Sequence, residues 1–226
     1  MHIPDGLMDP SIAIVGWIIA LIVITISIKI INKKIDEKQI PLMAILAGGI
    51  FVAQMLNFPI GGGTTGHLIG AVLAAVLLGP YAAMIVMVVI LIIQALLFGD
   101  GGITAFGLNV LNMAIIGCFT GWYIYHIFPT KFKIPGIFIA SWISVFIGSL
   151  ACSAELATSY SLSGGVYGIS GLIAFPAMLS LHALIGIGEA IITTSVIVFI
   201  SKISPEMLHM PKIMMNKVIE EVKLNV

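Results

Sequence analysis

The sequence predicts an all-α integral membrane protein with seven transmembrane helices, its N-terminus outside and its C-terminus cytoplasmic. Three observations carry that prediction. Of 226 residues, 60% are hydrophobic and only 9% charged, with a mean hydropathy of +1.18, against the roughly 25% charged residues of soluble domains. The apolar residues run in uncharged blocks of about 20, the length a helix needs to cross roughly 30 Å of hydrocarbon. The basic residues, all lysine, fall between those blocks, except Lys29 at the inner end of the first.

Spans are predicted at residues 11–31, 40–58, 67–79, 81–98, 105–127, 136–158 and 177–201. The stretch 67–98 is too long for one crossing, and Gly79-Pro80 supplies the break that divides it. Lysine placement decides between one span and two. With seven spans and the N-terminus outside, Lys29, Lys33, Lys34, Lys38, Lys131, Lys133, Lys202, Lys212, Lys217 and Lys223 all lie inside. A single span at 67–98 would move Lys131, Lys133 and the tail lysines outside, against the positive-inside rule. Asp9 before Pro10 reads as an N-cap followed by proline in the first helical turn. The chain opens MHIPDGLMDP with no lysine before Lys29, unlike a cleaved signal peptide, so its first residues are expected to remain. Residues 1–204 form a single transmembrane domain, whose segment 1–10 is its most informative part. Residues 205–226 form a cytoplasmic tail, where Ile213, Met214, Val218, Ile219 and Val222 alternate with charge at helical spacing suited to a membrane surface or a partner.

Several function classes are excluded or disfavoured. Ten acids balance ten lysines, leaving no basic surface for nucleic acid. Cys118 and Cys152 sit in apolar stretches and read as small core residues. No G-x-x-x-x-G-K-[ST], H-E-x-x-H or G-x-S-x-G occurs, so an enzyme is not expected and any ATP hydrolysis belongs to another polypeptide. No internal repeat supports the inverted symmetry of a secondary carrier.

The predicted orientation brings MHIPDG and the segment PIGGGTTGH, residues 59–67, to the same outer face. That face holds Asp5, Asp9 and Asp100 and no lysine, so it favours cations. A histidine at position two offers three nitrogens at chelating spacing: the Met1 amine, the His2 amide once deprotonated, and the His2 imidazole. His67, on a glycine-rich loop, is the outer-face histidine best able to supply a fourth. Square-planar nitrogen ligation suits Ni²⁺ or Cu²⁺. On spacing alone the alternative stands that His2 is a frayed terminal residue and His67 merely opens the third span.

Five segments go further: MHIPDG, GTTGHLIGAVLAAVLLGPYAA (63–83), FGDGGITAFGLNVLNM (98–113), SAELA (153–157) and HALIGIGEAIITT (182–194). Together they resemble the nickel/cobalt substrate-binding membrane (S) component of energy-coupling-factor transporters, the CbiM/NikM family, over nearly the whole chain. The resemblance implies a multi-pass protein of the prokaryotic cell membrane that captures Ni²⁺, or Co²⁺, as transported substrate with no other cofactor. It implies Met1, His2 and His67 as ligands. Its implied partners are a transmembrane coupling subunit, a pair of cytoplasmic ATPase subunits and a small accessory membrane subunit. MHIPDG is similar to nickel-type members, whereas cobalt-type members tend to carry MHIMEG.

Other polar residues keep two readings each. Asp5 serves a cap or turn, or orients His2 by accepting a hydrogen bond; Asp100 forms a turn or guides metal inward. Asn109, Asn112, Glu155, His182 and Glu189 lie within apolar spans, where polar groups are costly, and form either a network beneath the site or links between helices. Gly70, Ala71, Ala74 and Ala75 make a smooth ridge for packing within the bundle or for docking onto the coupling subunit. Two other functions stay open: an ion-coupled secondary carrier with Glu155 and Glu189 relaying protons, and a non-transporting metal sensor or scaffold.

Overall fold

The computed structural model describes residues 1–209 except 34, 36, 38, 62 and 63, so the amphipathic stretch at 212–224 lies outside the described residues. Helix α1, Pro10–Asn32, starts where the Asp9-Pro10 pair predicts: the Asp9 carboxylate accepts from the Ser11 backbone N–H at 2.9 Å and also from the Ser11 hydroxyl. Its outer side exposes Ile14, Val15, Ile18, Leu21, Ile22 and Ile26, while Ala13, Gly16 and Ala20 are buried. Large exposed aliphatics on one face and small buried residues on the other are what a helix between lipid and a helical bundle requires.

Helix α2, Gln39–Met55, leads into an antiparallel hairpin of β1, Phe58–Gly61, and β2, Thr64–Gly66. After the irregular residues 67–70 comes α3, Ala71–Leu78, and Gly79 separates it from α4, Pro80–Ile93. A wider π turn, Gln94–Phe98, prolongs α4. Residues Phe106–Ile127 form one helical run: α5, Phe106–Asn109, a π segment, Val110–Ile116, and α6, Gly117–Ile127. A short 3₁₀ turn, Thr130–Phe132, precedes α7, Lys133–Leu162; α8, Gly171–Ile203, and α9, Glu206–His209, complete the described order. Five runs are long and apolar enough to cross a membrane: Pro10–Asn32, Pro80–Phe98, Phe106–Ile127, Thr130–Leu162 and Gly171–Ile203. Helix α2 is apolar but shorter.

The structure departs from the predicted span at 67–79. Only eight residues there are helical, a rise of about 12 Å at 1.5 Å per residue, well below the roughly 30 Å of hydrocarbon. The predicted span 40–58 also ends earlier, at Met55, because the chain turns into the unforeseen hairpin. Gly70 and Gly79, at φ +75° and +82°, close α3 at both ends with backbone that other residues adopt at a cost. All eight side chains of α3 are buried. Residues 67–70 lie beside the N-terminal segment, and α3 also packs against α9, which follows the far end of α8.

Burial assigns the small-residue ridge to this bundle. Gly70 is buried, and Ala71, Ala74 and Ala75 are 1%, 0% and 0% exposed. A Cβ placed on Gly117 would come within 2.8 Å of the Ala71 Cβ, and one on Gly121 would strike Val72. Gly70, Ala71, Ala74 and Ala75 are thus packed against this chain's own helices, the first of the two readings the ridge allows. Cys118 and Cys152 are buried free thiols, as a core role requires. Gly117→Val should force α3 and α6 apart at a cost of about 1–3 kcal/mol, in line with core overpacking. Thermal unfolding in detergent checks this; an unchanged midpoint would contradict the close approach.

Candidate metal centre

The N-terminal segment has no regular structure, yet Ile3 is 2% exposed and Met8 5%. Its backbone therefore needs partners from elsewhere in the fold. Asn109 supplies two: the Ile3 N–H donates to its Oδ1 at 2.7 Å, and its Nδ2 donates to the Ile3 carbonyl at 3.1 Å. Gly102 N–H donates to the same carbonyl at 2.8 Å. Further along, Gly168 N–H donates to the Leu7 carbonyl at 2.7 Å, and Asp9 N–H donates to the Ser159 hydroxyl at 2.6 Å. The glycines of the Asp100 loop permit this docking. A Cβ on Gly101, where φ is +94°, would lie 3.1 Å from His2 Nδ1, and one on Gly102 would stand 2.7 Å from the Pro4 carbonyl carbon.

This anchoring brings the imidazoles of His2 and His67 together, with ring centroids 5.2 Å apart and planes tilted by 45°. His2 Nε2 stands 3.8 Å from Asp100 Oδ2. Both ring nitrogens of His2 are buried without a hydrogen-bond partner. His67 Nδ1 bonds the Leu68 carbonyl at 2.7 Å; a carbonyl only accepts, so Nδ1 carries the hydrogen and Nε2 keeps a lone pair. Burial lowers the pKa of the Met1 amine below its ordinary value. Burial first, then the nearby amine and His67, holds the His2 imidazole well below its own. The arrangement therefore gathers neutral nitrogen donors with little hydration to lose. A cavity of about 200 Å³ beside them is lined by Met1, His67, Met178 and His182. Among the described residues no three His, Cys, Asp or Glu side chains cluster at metal-ligating distances.

The remaining sequence-predicted residues divide into three groups. Asp100 reaches His2, whereas Asp5 does not orient it: Asp5 Oδ1 accepts from the Thr104 N–H and hydroxyl, both at 2.6 Å. Those bonds, the hydroxyl's foremost, lower the Asp5 pKa. Asn109 holds the N-terminal strand, and Asn112 Nδ2 donates to Glu155 Oε2 at 2.7 Å, linking the 106–127 helix to α7. His182 Nδ1 donates to the Met178 carbonyl at 2.8 Å while the ring lines the cavity. The Glu189 carboxylate accepts from the Ile69 and Gly70 N–H groups, at 2.6 and 2.9 Å. Sequence reasoning passed over Gln54 and Gln94. Gln54 Nε2 donates to the Ile69 carbonyl at 2.6 Å, and Gln94 Nε2 donates to Gln54 Oε1 at 2.6 Å. Their signal was an uncharged amide within an apolar run.

Residues 2–207 match the family model of CbiM, the cobalt uptake substrate-specific transmembrane region. The chain belongs to the CbiM family. It is 41% identical over 209 residues to a putative fused nickel transport protein NikMN of Archaeoglobus fulgidus, covering 92% of this chain and 68% of that protein. A crystal structure of a transition metal transporter superposes with a TM-score of 0.83 at 40% identity, covering 90% of this chain and 93% of that one. The S component of a bacterial ECF transporter shares the fold, with a TM-score of 0.50 and 23% identity over 73% of this chain and 94% of that one. As a CbiM-family member with five long apolar helices, the chain is a multi-pass membrane protein of prokaryotic metal-ion uptake.

Asn109→Leu should release the Ile3 backbone while leaving the helices in place. Losing a buried amide clamp worth about 1–3 kcal/mol predicts hydrogen exchange at the Ile3 amide roughly 10 to 100 times faster, measured by mass spectrometry. Unchanged protection would show that the clamp does not hold the segment.

Proposed function

We propose that this chain captures Ni²⁺, or Co²⁺, as the substrate-binding subunit of an ATP-driven importer. The ligands are the Met1 amine, the His2 amide and imidazole, and the His67 imidazole. The observation that carries this reading is the meeting of His2 and His67 at 5.2 Å, with His2 nitrogens buried and unpartnered beside the amine. Nickel is favoured over cobalt by the MHIPDG opening and by the similarity to a relative named for nickel transport. Two features support seven crossings with the N-terminus outside. Lysine distribution favours that orientation, and the path from His67 through α3 joins the N-terminal end of the bundle to the α9 end despite the short helix. A coupling subunit and paired ATPases would supply the motor, since no phosphate-binding loop occurs in this sequence. Against a proton-driven carrier, both Glu189 oxygens accept from backbone N–H groups, whereas Glu155 gives one oxygen to Asn112 and keeps Oε1 buried without a hydrogen-bond partner, so proteoliposome uptake without ATPases is the measurement that separates the two readings.

Calorimetry tests the ligand set. One extra residue before Met1, or its acetylation, should abolish tight Ni²⁺ binding. His2→Ala should be the most damaging single change, and His67→Ala should weaken binding by at least about tenfold, or roughly 1.4 kcal/mol. Undiminished affinity in the extended protein would defeat the assignment. In proteoliposomes, uptake should require the coupling and ATPase subunits; binding with no ATP-dependent flux would indicate a sensor instead.

The pKa directions give a pH signature. A group lowered by burial stays neutral to lower pH, so protons compete with the metal later than at an exposed terminus of pKa about 7.7. Affinity should fall with falling pH for both the protein and the free peptide MHIPDG, whose amine is unshifted. Between pH 8 and 7 the peptide should lose more. Equal losses would contradict burial of the terminal amine.

A further inference from the structure

We propose that Glu189 on α8 is the positioning residue for the His67 ligand: by gripping the backbone of Ile69 and Gly70 it fixes the loop that presents the His67 imidazole to the ion. This deepens, and rests on, the reading of His67 as a ligand.

Glu189 is 2% exposed and its pairing is unusual. Among the described residues no cation bridges it; its two oxygens accept the consecutive N–H groups of Ile69 and Gly70, and the Thr193 hydroxyl donates to Oε1 at 3.4 Å. A buried carboxylate is costly unless its lone pairs are bonded, so the grip is demanding in geometry. Gly70, the residue preceding α3, has no side chain to cap that helix, and Glu189 takes the role from 119 residues away. From the other side Gln54 holds the Ile69 carbonyl, and Gln94 holds Gln54. A Cβ on Gly70 would come within 2.7 Å of Ile50, so α2 crowds the same turn. The sequence between grip and ligand is short: Gly70 and Ile69 are clamped, and the Leu68 carbonyl receives His67 Nδ1–H, which turns Nε2 into its ligating role. Among the described residues Glu189 makes no hydrogen bond to residues 1–9, so its grip acts on the loop that carries the fourth ligand.

The test reads the visible ligand-field band and the calorimetric affinity of Ni²⁺ on the full chain in detergent. Glu189→Gln places an amide hydrogen pair against an N–H, so the loop should shift and water should replace His67 as fourth ligand. The weaker field moves the band to longer wavelength, to the position seen for His67→Ala, with affinity down at least about tenfold. The double variant His67→Ala/Glu189→Gln should lose no more than either single one. Glu189→Asp, which keeps the charge but reaches less far, should fall between. A wild-type band and affinity in Glu189→Gln would overturn the proposal even if its thermal midpoint dropped, because a merely structural role predicts that pattern. If Glu189→Gln does not fold, Glu189→Asp and Gly70→Ala disturb the same grip, and wild-type bands in both would overturn it. A wild-type band in His67→Ala would instead remove the ligand reading on which the proposal stands.

Discussion

The structure depends on satisfying the backbone of an irregular segment buried at the end of a helical bundle. A helix bonds its own peptide groups, so apolar side chains suffice to seat it in lipid or against its neighbours. The N-terminal strand has no such internal supply, and its partners come from Asn109, Gly102, Gly168 and Ser159, separated from it by 100 residues or more in several cases. Asn109 acts as one rung of a sheet, offering an acceptor and a donor to the same residue. Once that rung is in place, His2 has no freedom to stay in solvent, and its ring packs beside His67.

The second irregular segment obeys the same constraint with different chemistry. Residues 67–70 are held by a carboxylate, Glu189, and by an amide, Gln54, so that donors and acceptors of Ile69 are both matched. Two loops without secondary structure thus have their backbone groups bonded by side chains of the surrounding helices. Rigid nitrogen donors that are already poor in water are suited to a divalent transition ion, which otherwise must strip hydration and protons from each ligand. The acidic Asp100, 3.8 Å from His2 and partly exposed, adds a negative charge at the mouth of the site.

Much of this was legible in the sequence because hydrophobic runs and lysine positions register the membrane directly. The five long helices lie where the uncharged blocks predict, and Asp9-Pro10 marks the start of α1. The helical length of the third segment was not legible, because its apolarity reflects burial inside protein rather than contact with lipid, and hydropathy registers both alike; only Ala71–Leu78 is helical there. For the same reason the ridge of Gly70, Ala71, Ala74 and Ala75 could not be assigned to an inner or outer partner until burial was known. His2 and His67 stood out by chemistry and resemblance, since chelating spacing at a chain end is local. Glu189 and Asp5 stood out as charges, but what each touches depends on contacts across 120 and 99 residues, which no local pattern encodes. Gln54 and Gln94 were passed over because a neutral amide in an apolar run carries a weaker signal than a charge.

The most direct measurement of the central claim is X-ray absorption at the nickel edge of the loaded protein in detergent. The account predicts four nitrogen scatterers in a planar set, with the outer-shell signature of two imidazoles. Oxygen or sulfur donors, a non-planar site, or the signature of a single imidazole would contradict it.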